Sequence, residues 1–509
     1  MGKFKSKAAS ALSSENAASG ALTAIIIATV LAINVIVFVI SSAFGLAFTS
    51  KPKDETVITG STDALFSEAI ADRKKVKISF CFSSEADVLA HATGAFVHKT
   101  AEEYEKRYSD FIEIDYLNLI TGKNSKGENV DVEKYKTDMQ GNETPLAKTS
   151  VIFECGKNYK VVTDTYTTAG FADFYTLDAA SKSATSYNGE AFMASMIYWV
   201  TVNEHPTAYL TVGHSEQLDS TFLGVLSMAG YNLKKIDLKN EEVPRDAALL
   251  IISNPLSDFE KEAAEDSDFR TEFKRLKTYM DNGGNIYVSL DPYVKRLPVL
   301  ESFVASYGIA FSETEGASGI VRNIVKDSYN AITTDGFTLV TEFADNEVAN
   351  SVSNTVKQYS DGKVIIKSVA ALELSKTAKP MLVSGASSEL YAEGKSVDKS
   401  GSYCVAAYAT AEAKQDKTSS IFVVPSIYTT VSDAFVTNKY SNKDFMYSLF
   451  DNLYGRDGMP YGCNVAYYDS GVLENLTMGT KRIFTGIILA VPVPIAIFGA
   501  ALIVKRKNR

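Results

Sequence analysis

The sequence predicts an α/β protein whose body is membrane-anchored at both ends. Two apolar runs without a charged residue frame the chain, Leu22 to Phe44 and Ile483 to Val504. Each has the roughly 20 residues that a helix needs to cross a bilayer. Between them, short alternating or wholly apolar stretches take turns with longer amphipathic ones, the rhythm of an α/β fold.

The flanks of the two runs set an orientation. Lys3, Lys5 and Lys7 precede the first, and Lys505, Arg506, Lys507 and Arg509 follow the second. Cytoplasmic flanks are enriched in Lys and Arg, so residues 1–21 and 505–509 are expected inside and the body outside. Lys51, Lys53, Lys481 and Arg482 oppose this bias with fewer charges. The competing reading is a signal peptide cleaved at Gly45-Leu46-Ala47. The apolar run exceeds the about 7–15 residues of such a segment, which favours an uncleaved span over 22–44. Pro492 and Pro494 are tolerable inside a membrane helix at 483–504, where neighbours satisfy the freed carbonyls.

The net charge is −10, although the first 20 residues carry three Lys against one Glu and residues 481–509 carry six basic residues. The body is therefore acidic, which argues against nucleic acid or anionic headgroups as its main partner. Four Cys and four His, with no C-x-x-C and no Cys/His cluster, predict neither a disulfide framework nor a structural zinc site. About 430 residues between the spans suggest two or three domains.

Along the body, residues 51–75 read as a connector. Val76-Lys-Ile-Ser-Phe-Cys-Phe82 is a strand, 85–108 a helix, and Phe111-Ile-Glu-Ile-Asp-Tyr-Leu117 a second strand, which together make one βαβ unit. The Gly-, Asn- and Lys-rich stretch 121–148 reads as an exposed loop, followed by strands at 150–154 and 158–162. This first domain, 51–185, is expected to be thioredoxin-like. Cys81 lacks a partner Cys three residues on, where Ser84 stands, and reads as a buried structural thiol rather than a redox group. A linker helix is expected over 186–206.

From Thr207 the pattern is regular. Strands are expected at 207–212, 231–238, 247–253 and 285–290, and helices at 217–228 and 257–281, stopped by Asn282-Gly-Gly. The wholly apolar Ala247-Ala-Leu-Leu-Ile-Ile-Ser253 suits a strand covered on both faces. A doubly wound, flavodoxin- or Rossmann-like parallel-sheet domain is expected over 207–455, looser after about 312. Strands recur there near 362–374, 380–384, 402–409 and 419–424, with a helix at 442–453. Residues 456–482 lead back to the membrane.

In an open α/β sheet, ligands bind outside the carboxyl ends of the strands. Gly213-His-Ser-Glu216, Ser253-Asn-Pro255 and Asp291-Pro292 follow three such strands. His214, Ser215, Glu216, Asn254 and Asp291 are therefore the candidate ligand-binding residues. The competing reading is structural: Asn and Asp before Pro form turns, Ser215 or Glu216 caps a helix, and His214 bonds the backbone. No nucleophile elbow and no phosphate-binding glycine loop follows a strand, so no catalytic residue, no cofactor and no ATP site is expected.

Residues 188–292 resemble one family. Asn188-Gly-Glu-Ala-Phe192 and Met196-Ile-Tyr-Trp-Val-Thr201 resemble its linker helix. Tyr209-Leu-Thr-Val-Gly-His-Ser-Glu216 resembles its signature, an apolar run ending in T-G-H-G-E. Val243-Pro-Arg-Asp-Ala247, Ile252-Ser-Asn-Pro255 and the run from Tyr279-Met-Asp-Asn-Gly-Gly-Asn-Ile286 to Asp291-Pro292 complete it. The family is the GldG-like auxiliary component of ABC transport systems, named for gliding motility, with a central domain related to one in intraflagellar-transport proteins. Asn442-Lys-Asp-Phe445 is similar to its closing helix. Ser215 replaces the usual second Gly, and Val423-Val-Pro-Ser-Ile-Tyr428 replaces an acidic G-D-S-like turn.

The resemblance implies a non-enzymatic extracytoplasmic subunit of a bacterial ABC transporter, coupled to a separate permease and ATPase. Its ligand would be a substrate, an envelope glycan or a protein, and its spans would contact lipid and pack against permease helices. Small residues at Gly486 and Gly499-Ala-Ala501 would permit close approach. Two alternatives remain: an envelope scaffold that transmits force, and an envelope hydrolase or amidotransferase-like enzyme using the strand-end rim.

Overall fold

The computed structural model describes residues 56–139, 143–163, 171–177, 184–217, 220–260, 271–317, 319–375, 377–399, 401–426, 440–455, 458–467, 477–480, 482, 483 and 485. The runs expected to span a membrane, 22–44 and 483–504, and the tail 505–509 lie outside them, apart from Ile483 and Thr485. No helix among the described residues is long and apolar enough to cross a membrane.

The first lobe is a five-stranded sheet with helices. It comprises α1 (Thr62–Ala71), β1 (Val76–Phe80), α2 (Glu85–Leu89), α3 (Gly94–Arg107), β2 (Ile112–Asn118), β3 (Lys123–Asn124), β4 (Val151–Cys155) and β5 (Asn158–Val162). The strand order is β3-β2-β1-β4-β5. β1 and β2 run parallel, with Ile78 opposite Ile114. The other side is antiparallel, with Ile78 opposite Phe153. Strands β6 (Tyr175–Leu177) and β7 (Ala184–Tyr187) form a hairpin before α4 (Gly189–Thr201).

The single helix expected over 85–108 is two. His91 Nδ1 accepts from the Gly94 amide at 3.2 Å, and α3 restarts where a Cβ on Gly94 would lie 2.9 Å from the Phe171 ring. A side-chain acceptor and a ring that only glycine can approach thus break the helix. The stretch expected as an exposed loop over 121–148 contains β3 and is tied to the sheet through Tyr135, which is buried beside Leu117 and Ile152 and donates to Glu154 Oε2 of β4 at 2.8 Å. Helix α4 is no free linker: Ala191, Met193, Ala194, Ile197 and Val200 share a core with Val76, Ile78, Val151 and Phe153. Burial pushes the Cys81 thiol up to about 12, in line with a structural thiol.

The second lobe begins with β8 (Thr207–Thr211), α5 (Ser220–Met228), β9 (Asn232–Ile236), β10 (Ala247–Ser253), α6 (Glu272–Asp281), β11 (Asn285–Ser289) and α7 (Pro298–Ser306). It continues with β12 (Ile309–Phe311), β13 (Glu313–Gly316), β14 (Gly319–Arg322), β15 (Ile324–Asp327), β16 (Thr338–Phe343), α8 (Glu347–Tyr359), β17 (Val364–Lys367), β18 (Leu372–Leu374) and β19 (Lys379–Val383). It ends with β20 (Ser388–Ala392), β21 (Lys395–Asp398), β22 (Cys404–Glu412), β23 (Thr418–Val424) and α9 (Asn442–Tyr454). A last strand, β24 (Ala466–Tyr467), returns to pair with β7 of the first lobe.

The main sheet runs β17-β16-β19-β22-β23-β11-β10-β8-β9. The pairings β9-β8-β10-β11-β23 are parallel. The rest are antiparallel, so the sheet is mixed, and the expectation of a parallel sheet holds for that half alone. The reversal has a simple cause: residues 413–417 are too few for a crossover, so β22 and β23 must form a hairpin.

Successive residues of the parallel strands face opposite sides. Ala208, Leu210, Leu249, Ile251 and Phe422 pack with α5, α8 and α9. Tyr209, Leu250, Ile252, Ile286 and Val288 pack with α6 and α7. Both faces are covered, which explains the unbroken apolar run of β10. Each fully buried Leu, Ile or Val contributes about 1.5–3 kcal/mol.

Candidate functional site

The turns after β8 and β10 meet at the carboxyl edge of the parallel strands. Leu256 N donates to His214 O at 2.8 Å, and Gln217 N to Asn254 O at 3.3 Å. Asn254 N reaches Ser289 O, at the end of β11, at 2.9 Å. In order of appearance the parallel strands lie 2-1-3-4-5, and this edge between the first and third is where the direction of winding switches. The rim thus brings together His214, Ser215, Glu216 and Asn254.

Backbone strain collects here. Ser215 has φ 58° and Asn254 φ 47°, both left-handed, beside Gly213 at 112°. L-residues with a Cβ adopt this region at a cost. A Gly at the position of Ser215 would adopt this conformation without strain.

His214 is fully buried and does not line an open cleft. Its Nδ1 lies 3.3 Å from Glu216 Oε1 and its Nε2 3.1 Å from Glu272 Oε2, while its ring stacks on Phe259 at 4.1 Å. Burial pulls the imidazole pKa down, but the hydrogen bonds and charges of Glu216 and Glu272 outweigh it and raise it to about 9. For Glu216 burial pushes up and the His214 bond pulls down, with a lowered net result. His214 is therefore an imidazolium donating from both nitrogens, with no lone pair to take a proton. Glu216 Oε2 also accepts from His214 N at 2.9 Å, and Glu272 Oε2 from Glu260 N at 2.8 Å. The cluster binds the β8 turn, the stretch after β10 and the start of α6 into one unit.

Asp291 stands apart. Its carboxylate accepts from Tyr293 N at 2.9 Å, closing its own turn. Its carbonyl, with those of Pro292 and Val294, receives the Arg322 guanidinium at 3.2, 3.3 and 2.9 Å, and Arg322 pairs with Glu301 at 2.5 Å. Sequence reading missed Glu272, Phe259, Arg322 and Glu301. Glu272 looks like a solvent-facing acid on a charged helix, and no local pattern ties Arg322 to residues about 30 positions earlier. Among the described residues, Asn254 Oδ1 and Glu272 Oε1 are buried without a hydrogen-bond partner.

Cavities also lie elsewhere among the described residues. One of about 400 Å³, lined by Glu204, His205, Pro206, Tyr231, Ala248, Tyr454 and Gly455, sits at the opposite, amino end of the parallel strands. A smaller one of about 110 Å³ lies against Tyr159, Lys160 and Trp199.

No protein-family model matches the chain, and no curated protein matches it. Among solved structures, the mmIFT52 N-terminal domain is similar at 19% identity and TM-score 0.36, covering 49% of this chain and 97% of that one. PurLQS from Thermotoga maritima is similar at 10% identity and TM-score 0.28, covering 49% and 100%. A putative ThuA-like protein from Bacteroides uniformis is similar at 12% identity and TM-score 0.28, covering 49% and 92%. Likenesses of this size bear on neither activity nor partners.

Proposed function

We propose that this chain is the non-enzymatic extracytoplasmic auxiliary, substrate-binding subunit of a bacterial ABC transporter of the GldG kind. Its permease and ATPase are separate chains. Spans over 22–44 and 483–504 hold the body at the outer face of the cell membrane, with both termini cytoplasmic. The β1-α3-β2 unit followed by the β4-β5 hairpin and α4 supports a thioredoxin-like first domain. The order 2-1-3-4-5 supports a flavodoxin-like second one.

The observation that carries this reading is a junction at Glu190. Thr59, which follows the first apolar run in sequence, and Asn464, which precedes the second, both bind this one buried carboxylate. Its Oε1 accepts from Thr59 Oγ1 at 2.8 Å and from Thr59 N, and its Oε2 accepts from Asn464 N. Asn464 Nδ2 reaches Val57 O at 3.4 Å. Segments that follow the first expected span and precede the second in sequence thus meet at one carboxylate, which supports a body coupled to both spans through its own fold. The doubly bonded His214 favours a binding or mechanical role for the rim over the hydrolase alternative.

The test is co-purification. The full chain, drawn from its native membrane in mild detergent, is expected to bring an ABC ATPase and a multi-span permease, identified by mass spectrometry. Recovery alone, or with wall-associated proteins only, would overturn the transporter reading.

A further inference from the structure

A second cluster, in the first lobe, has nothing to do with the rim. His98 lies on α3, 1% exposed, with its ring 5.2 Å from Phe80 and stacked on Tyr116 at 5.8 Å. Its Nε2 is 2.6 Å from the Tyr116 hydroxyl. Its Nδ1 is buried without a hydrogen-bond partner and points toward Glu102 Oε2, 3.7 Å away. Glu102 is one helical turn along α3 on the same face. Glu85, the first residue of α2, completes a trio in which one donor atom of each lies within 4.8 Å of the others.

We propose that His98, Glu102 and Glu85 bind a divalent transition-metal ion of the zinc class. The buried nitrogen and the two carboxylates face one another with no basic side chain paired to either acid among the described residues, an arrangement that a dication neutralises. Glu85 and Glu102 are exposed at the surface, so rotamer changes suffice to bring their oxygens to the ~2 Å that a zinc ligand needs. An imidazole donor selects the transition series over calcium and magnesium. With the ion on Nδ1, Nε2–H donates to Tyr116, the outer hydrogen bond that fixes the tautomer of a metal-bound histidine. Three protein ligands at a surface leave remaining positions for water. Tyr116 is a positioning residue; the site is independent of the transport reading.

The test uses the full chain in mild detergent, stripped with chelator and titrated with Zn²⁺ by calorimetry and with Co²⁺ by visible absorption. One ion per chain is expected, with cobalt bands in the visible. The surface double variant E85Q/E102Q, which leaves the buried histidine in place, is expected to weaken Zn²⁺ at least tenfold and abolish the cobalt bands. Tyr116→Phe is expected to weaken binding about 10–100-fold and shift those bands. Absence of stoichiometric binding by the wild type, or equal affinity in E85Q/E102Q, would overturn the proposal.

Discussion

Removing the Glu190 carboxylate should loosen both connectors at once. Glu190 sits in the first turn of α4, 3% exposed, and takes three donors from two segments some 400 residues apart in sequence, Thr59 and Asn464. A hydrogen bond to a charged group contributes about 1.5–3 kcal/mol, and a neutral one about 0.5–1.5. Burial raises the Glu190 pKa despite the Asn464 and Thr59 bonds, so the lower part of that range applies. Three coupled bonds then come to roughly 3 kcal/mol, and at 1.4 kcal/mol per decade Glu190→Ala raises local opening about 10²-fold. Hydrogen exchange read on peptides covering 56–60 and 463–467 is the assay. Exchange there should quicken by about two decades while β8, β10 and β11 keep their protection. Glu190→Gln should fall between, because a carboxamide keeps one acceptor oxygen and turns an N–H toward the other donor. A change under about threefold at both connectors, or an equal loss of protection throughout the main sheet, would refute the junction.

Three further outcomes follow from the second lobe. The His214 pKa is raised from 6.5 to about 9, so its contribution is fully present below pH 6.5 and is lost as pH rises through about 9. That loss, roughly 3 kcal/mol, should appear as a falling urea midpoint between pH 6 and 9.5 that His214→Gln flattens. Ser215→Gly relieves a left-handed residue and, after the entropy cost of glycine, should raise thermal stability by up to ~1 kcal/mol; a lower melting temperature would contradict this. Arg322→Lys should lower stability by about 2–3 kcal/mol in denaturant unfolding, since an ammonium cannot reach three carbonyls and Glu301 together.

Local periodicity made much of the fold legible. The strands at 76–80, 112–118, 151–155, 158–162 and 247–253 fall where alternation or unbroken apolarity put them. Helix α8 was not legible: Glu347-Val-Ala-Asn-Ser-Val-Ser-Asn-Thr-Val-Lys-Gln-Tyr359 is poor in strong helix formers. It is held by Ala349, Val352 and Val356 against the sheet and by Asn346, whose Oδ1 accepts from Ala349 N at 3.1 Å. β23 was legible as a strand but not as the neighbour of β11, because a pairing across about 130 residues leaves no local mark. The rim followed the same division. Topology rules brought His214 and Asn254 together, while the Glu272 that turns His214 inward comes from a helix 58 residues on. Glu190 reads in sequence as an ordinary first-turn acid; its role depends on Thr59 and Asn464, which meet only in three dimensions.

In the proposed arrangement the body hangs from both ends on one membrane face. Protease added to intact spheroplasts, with a distinct epitope tag on each terminus, tests it directly. The chain is expected to stay with membranes through an alkaline wash, protease to remove the body, and both tags to survive on short membrane-bound fragments. Release of the chain by the wash, or loss of either tag before the membrane is opened, would contradict it.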